Sequence, residues 1–178
     1  MLKAIIFDLG DTLIPNTYIE KFFVNGEIKN EVHNALIPTI ETISELKKKY
    51  RLGIITNVDK TVTTDHIHNV LQETNLFRFF NVITLSSVVN YDKPDKEIFE
   101  LTLKKLNVKV DETIMVGDRI PFDILGGNLI GMKTVFIKPN GNPFQNQDEI
   151  TNEKEKPTYK IQSLNELIEI TNKITSSE

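Results

Sequence analysis

Five short apolar runs recur along the chain: Ala4–Phe7, Leu52–Ile55, Val82–Leu85, Thr113–Val116 and Thr134–Ile137. Each holds only four residues, most of them β-branched or otherwise apolar, so each reads as a strand buried on both faces. Helix-period segments lie between them. Ile40, Ile43, Leu46 and Tyr50 mark one apolar stripe, and Ile67, Val70 and Leu71 a second. Ile98, Phe99, Leu101, Leu103 and Leu106 mark a third, and Leu164, Leu167, Ile168, Thr171 and Ile174 a final helix. Strand–helix alternation of this kind predicts a parallel sheet with helices on both sides, a three-layer α/β/α Rossmann-like fold. In such sheets ligands bind beyond the carboxyl ends of the strands, so function is sought in the residues directly after each run.

A chain of 178 residues is the length of one domain, expected to span 1–178, and it buries about 70% of its unfolded surface without a metal or disulfide staple. It contains no cysteine, which excludes a thiol nucleophile and Cys-ligated metal sites. The net charge of −4 comes with no basic half, so generic nucleic-acid binding is disfavoured. No apolar run reaches the ~20 residues of a membrane span. Residues 1–7 meet Asp8 too soon to form a signal-peptide core, so a cytoplasmic protein is expected.

Two stretches interrupt the alternation. Residues 15–37 read as a small helical insertion: two short helices, Tyr18–Val24 and Ile28–Leu36, joined near Asn25-Gly26. Its Tyr18, Ile19, Phe22 and Phe23 read first as a lid packing on its own domain and second as the contact of a homo-oligomer. Residues 139–157 are polar, carry three of the seven prolines, and read as a surface loop.

The strand ends carry the chemistry. The first run ends in Asp8-Leu9-Gly10-Asp11-Thr12, the second in Thr56-Asn57, and the fourth in Gly117-Asp118 with Asp123 five residues on; Lys93-Pro94 comes after the third. In a parallel sheet these ends converge. Two carboxylates brought together, Asp8 and Asp118, need a cation between them, and an all-oxygen donor set suits Mg²⁺. Lys93 as a point charge and Thr56 as a hydroxyl donor suit a phosphoryl group. A carboxylate nucleophile, Mg²⁺, Lys and Thr together describe phosphoryl transfer through an aspartyl phosphate. Thr56-Asn57 is also expected to cap the next helix and to hold phosphate at its N-terminus. Gly126-Gly127 is read as permitting close helix–sheet packing, and His33, His66 and His68 as surface residues.

These residues resemble the haloacid dehalogenase superfamily, which is dominated by Mg²⁺-dependent phosphatases. Its four motifs are matched in order by Asp8-Leu9-Gly10-Asp11-Thr12, by Ile54-Ile55-Thr56-Asn57, by Lys93 in Asp92-Lys93-Pro94, and by Gly117-Asp118 with Asp123, over roughly residues 2–138. The resemblance implies a three-layer fold with a much reduced cap at 15–37. It also implies that Asp8 is nucleophile and metal ligand, that the Gly10 carbonyl and Asp118 ligate Mg²⁺, and that Asp123 supports the metal. Thr56 and the backbone near Asn57 would hold the phosphate, and Lys93 would neutralise Asp8 and the phosphoryl charge. The substrate class is a phosphorylated small molecule or another phosphorylated substrate.

The chain departs from the family pattern at Gly10, where the phosphatases carry the Asp that serves as general acid and base. That loss is worth roughly 10²–10⁴ in rate. Asp11, His66 and His68 are the candidates to replace it, and restoring the carboxyl by Gly10→Asp is expected to be sterically feasible. Two alternatives stay open beside the phosphatase: a metal-independent 2-haloacid dehalogenase-type hydrolase, and a phosphate- or protein-binding member with little turnover.

Overall fold

The computed structural model describes residues 1–26, 30–138 and 150–176. Six strands form one parallel sheet in the order β3-β2-β1-β4-β5-β6. They are β1 (Ala4–Phe7), β2 (Arg51–Thr56), β3 (Val82–Leu85), β4 (Thr113–Gly117), β5 (Lys133–Ile137) and β6 (Tyr159–Ile161). The helices are α1 (Asn16–Asn25), α2 (Asn30–Lys47), α3 (Thr64–Glu73), α4 (Ser86–Val89), α5 (Lys96–Leu106), α6 (Leu125–Leu129) and α7 (Glu166–Ser176).

The period-2 geometry of the strands divides the core in two. Ile5 and Phe7 of β1, with Leu52, Ile54, Ile114, Val116, Val135 and Ile137, pack on one face against Leu36, Ile43 and Leu46 of α2, Ile67, Val70 and Leu71 of α3, and Leu167 and Ile174 of α7. Ala4 and Ile6, with Ile55 and Met115, pack on the other against Ile98, Phe99, Leu103 and Leu106 of α5. This is the expected three-layer arrangement. The chain leaves β1 towards β2 and β3, then returns to β4 on the opposite side of β1. The reversal of winding opens a crevice between the carboxyl ends of β1 and β4. Phe7 is level with Ile54 and Val116, so Asp8 and Gly117-Asp118 emerge together at that crevice.

Three expectations change. The insertion does not contain a separate second short helix: from Asn30 the helix continues to Lys47 as α2, with Pro38 inside it. Val32, Leu36, Ile40, Ile43 and Leu46 keep one helical phase across the proline and bury a single stripe, and that burial outweighs the backbone bond that proline removes. Residues 27–29, including the expected helix start at Ile28, lie outside the described residues. Tyr18, Ile19 and Phe22 of α1 pack on the first core, while Phe23 and Val24 are exposed. The second change is β6, which the apolar runs do not announce. Thirdly, the loop expected over 139–157 contains a 3₁₀ turn at Glu153–Glu155, and residues 139–149 lie outside the described residues. Among the described residues no helix is long and apolar enough to cross a membrane.

Gly126 brings α6 against α5, and Gly127 brings it onto the sheet. A Cβ on Gly126 would lie 2.4 Å from the Phe99 ring, and one on Gly127 2.6 Å from Thr134 Cγ2. Gly126→Ala is therefore expected to lower stability by about 1–3 kcal/mol through overpacking. A urea titration checks this, with an unchanged midpoint as the contrary result.

Candidate active site

The backbone of Asp8 is locked one residue past β1, its amide donating to the Val116 carbonyl at 2.9 Å. Its carboxylate faces an open cavity of about 210 Å³, lined also by Gly10, Asp11, Asn16, Thr56, Asn57, Lys93, Asp118, Arg119, Phe122 and Asp123. That is below the usual 300–1,000 Å³ of small-molecule pockets, so the cavity suits a reacting group better than a whole large substrate. All seven residues singled out from the sequence, Asp8, Gly10, Thr56, Asn57, Lys93, Asp118 and Asp123, line it together.

Lys93 is the hub. Its side chain is 3% exposed. Nζ donates to Asp8 Oδ1 at 2.5 Å, to Asp123 Oδ1 at 2.6 Å and to the Ile55 carbonyl at 3.0 Å. The Asn57 side chain fixes the Lys93 backbone from both sides, Nδ2 donating to the Lys93 carbonyl at 2.9 Å and Oδ1 accepting from its amide at 2.8 Å. Asn57 thus does not cap the next helix. That task falls to Thr63, whose hydroxyl accepts from the His66 amide while the His66 ring accepts from the Thr63 amide. The N-terminus of α3 lies seven residues beyond Asn57, and its first residues are not among those lining the cavity.

Asp123 is fully buried. Its second oxygen accepts from the Arg119 amide at 3.1 Å. Gly117 makes room for it, since a Cβ there would fall 2.2 Å from Asp123 Oδ2. Thr12 Oγ1 donates to Asp118 Oδ1 at 3.2 Å. One oxygen from each of Asp8, Asp118 and Asp123 lies within 4.8 Å of the others. Counting every charged side chain of the cavity, Asp8, Asp11, Asp118 and Asp123 face Lys93 and Arg119, a surplus of two negative charges. Buried oxygen donors with that surplus fit a hard divalent cation.

Burial alone would lower the Lys93 pKa, but the charges of Asp123 and Asp8 outweigh it and hold the ammonium above the ordinary lysine range. The Asp123 pKa is raised as well, for a different reason. Burial pushes its carboxyl up to about 6 and Asp8 pushes in the same direction, against the pull of Lys93. The two shifts are consistent in sign only because two carboxylates share one ammonium.

Three cavity residues, Arg119, Phe122 and Asn16, are not foreseen from the motifs. Arg119 stacks its guanidinium over the Phe122 ring at 5.0 Å; its place directly after Gly117-Asp118 is the available signal. Asn16 donates through its backbone amide to Asp11 Oδ1 at 2.9 Å and through Nδ2 to Asp11 Oδ2 at 2.8 Å. Asp11 itself is in the left-handed region, φ 54°, which Asp tolerates better than most residues. Neither His66 nor His68 lines the cavity: His66 contacts Phe23 and His68 contacts Phe77.

A family profile described as haloacid dehalogenase-like hydrolase matches residues 5–137. The chain belongs to this family. It is 33% identical over 174 residues to YfnB of Bacillus subtilis, covering 97% of this chain and 66% of that protein. It is 35% identical over 140 residues to a glyceraldehyde 3-phosphate phosphatase of Pyrococcus furiosus, covering 78% and 55%. A third relative, pyrophosphatase PpaX of Bacillus mycoides, is 31% identical over 155 residues, covering 83% and 66%. The chain thus spans little more than half to just under two thirds of these relatives' lengths. Among solved structures, YfnB bound to magnesium aligns with a TM-score of 0.70 at 22% identity, covering 96% of this chain and 99% of that one. An uncharacterized Listeria monocytogenes protein aligns at 0.75 and 24%, covering 98% and 99%. At these identities the structural likeness speaks for the fold.

The Asp123 shift has a measurable sign. Its folded value, about 6, lies above the ordinary 3.8, so the folded state holds that proton more tightly. The resulting stability is complete below about pH 4 and is lost as pH rises through about 6. With chelator present, the thermal midpoint of wild type relative to Asp123→Asn is expected to fall between about pH 4.5 and 7. Parallel pH profiles for the two proteins would contradict the assignment.

Proposed function

We propose that the chain is a Mg²⁺-dependent phosphohydrolase that works through an aspartyl phosphate on Asp8. The observation that carries this reading is the buried constellation of Asp8, Lys93 and Asp123 beside Asp118, at the crevice where the winding of the sheet reverses. Relatives named for a phosphate ester and for pyrophosphate support hydrolysis of a phosphorylated small molecule.

Asp8 is the nucleophile. Lys93 keeps it ionised and offsets the charge of an incoming phosphoryl group. Thr56, at the end of β2, and the backbone around Asn57 hold phosphoryl oxygens. Asp8, the Gly10 carbonyl and Asp118 would hold Mg²⁺ and Asp123 would support it, while the Asp123 oxygens anchor Lys93 and the Arg119 amide. Bound Mg²⁺ would neutralise the carboxylates and polarise the phosphoryl group. Thr12 orients Asp118. The charge surplus argues against the metal-independent dehalogenase alternative, because carboxylates this close repel unless a cation joins them.

Asp8→Asn is expected to abolish turnover of phosphorylated substrates, since it removes the nucleophile and an anionic ligand together. Wild-type-like turnover by that variant would overturn the covalent mechanism. Asp118→Ala is expected to raise the Mg²⁺ midpoint at least about tenfold, the scale of one good charged contact at ~1.4 kcal/mol. Calorimetric titration with Mg²⁺ reads this directly, and an unchanged midpoint counts against the ligand assignment.

A further inference from the structure

Asn16 occupies the space directly above Gly10. A Cβ built on Gly10 would lie 2.1 Å from Asn16 Oδ1, 2.9 Å from its Cγ and 3.1 Å from its Nδ2. The amide cannot swing aside freely, because Asp11 grips both its backbone amide and its Nδ2. The expectation from sequence that Gly10→Asp is sterically feasible is therefore corrected: the new side chain would have to break the Asp11–Asn16 pair.

The other groups of the cavity are already committed. Asp8 is the proposed nucleophile, and Asp118 and Asp123 are buried with the proposed metal site. Both Asp11 oxygens accept N–H bonds from Asn16, so a proton placed on Oδ2 would compete with the Asn16 amide for that oxygen. Lys93 is held by two carboxylates and a carbonyl. Thr56, the two asparagines and the Arg119 guanidinium have no proton to release near neutral pH, and Phe122 is apolar. The histidines lie elsewhere. Asn16 is the residue left at this wall of the cavity, and an amide donates hydrogen bonds without giving up a proton.

We propose that Asn16 is a specificity-determining residue that restricts the enzyme to phosphoryl donors whose leaving oxygen is a weak base: acyl phosphates, phosphoanhydrides and aryl phosphates. This rests on the reading of Asp8 as nucleophile. In the first step an Asp8 oxygen forms a bond to phosphorus while the bond from phosphorus to the leaving oxygen breaks. The leaving oxygen keeps that electron pair and departs as an anion. In the second step water attacks the phosphorus of phospho-Asp8. The pair of the broken P–O bond returns to the carboxylate, and both protons of the water leave with the phosphate as dihydrogen phosphate. Neither step draws a proton from the enzyme. One Asn16 N–H is spent on Asp11; its second N–H and its carbonyl oxygen are what it can offer the departing group or the water.

The test is single-turnover phosphorylation of the Mg²⁺-loaded protein, followed as phospho-Asp8 by intact mass. The substrates are acetyl phosphate, aryl phosphates of graded leaving-group basicity, and an alkyl phosphate. Wild type is expected to form phospho-Asp8 roughly 10²–10⁴ times more slowly from the alkyl ester, the range of a missing acid. Asn16→Asp, which is isosteric and sets a carboxyl at this wall of the cavity, is expected to narrow that gap by raising the alkyl rate. Equal wild-type rates on alkyl and aryl esters would overturn the inference and leave the nucleophile standing. No phospho-Asp8 from any substrate would overturn the underlying function instead. A folded Asn16→Asp protein that forms phospho-Asp8 from acetyl phosphate but keeps the wild-type gap would overturn the role of Asn16, and Asn16→Ser with the same series stands in if Asn16→Asp fails to fold.

Discussion

A lysine ammonium taken out of water must be met by negative charge, and at Lys93 that demand ties distant segments into one site. Asp8 comes from β1, Asp123 from the turn after β4, and the Ile55 carbonyl from β2. Asn57 holds the Lys93 backbone against the end of β2. Removing Lys93 would leave Asp8 and Asp123 buried without the cation they share, a loss of about 3–5 kcal/mol for broken pairs of this kind. The carboxyl edge of the sheet is rigid for that reason, and the Asp8 carboxylate enters the crevice in a fixed orientation.

The same charge balance leads to a cation. One ammonium cannot satisfy three buried carboxylates, and at Asp123 burial first, then the charge of Asp8, raises the carboxyl pKa. A hard divalent ion, as proposed above, would offset the repulsion among Asp8, Asp118 and Asp123. The fold supplies the means: β1 and β4 are neighbours, yet the chain enters them from opposite winding directions, so their carboxyl ends are open to solvent. Small residues complete the geometry. Gly117 yields its space to Asp123, and Gly10 yields its own to Asn16.

Much of this is legible in the sequence because it rests on local signals. Apolar runs of four residues mark β1 to β5 to within a residue or two, since such runs, rich in β-branched residues, are too short for a buried helix. β6 escapes because Tyr-Lys-Ile is too short for a pattern and its middle residue points a lysine to solvent. The merging of the second cap helix into α2 escapes because Pro38 reads as a helix breaker locally, while the stripe from Val32 to Leu46 is visible only when read across it. The polar groups at the strand ends are found because topology brings all such ends together. Asn16 and the use of Asn57 are not, because both depend on side-chain placement in loops: a left-handed turn at Asp11 in one case and a contact across 36 residues in the other.

The mechanism stands on Asp8 as the atom donor to phosphorus. The most direct measurement is ¹⁹F NMR of the protein with Mg²⁺ and beryllium fluoride, which mimics a phosphoryl group by bonding to a carboxylate oxygen. Slowly exchanging, protein-bound fluorine resonances are expected in wild type, dependent on Mg²⁺ and lost in Asp8→Asn. Bound resonances that persist in Asp8→Asn, or none in wild type with Mg²⁺ present, would contradict it.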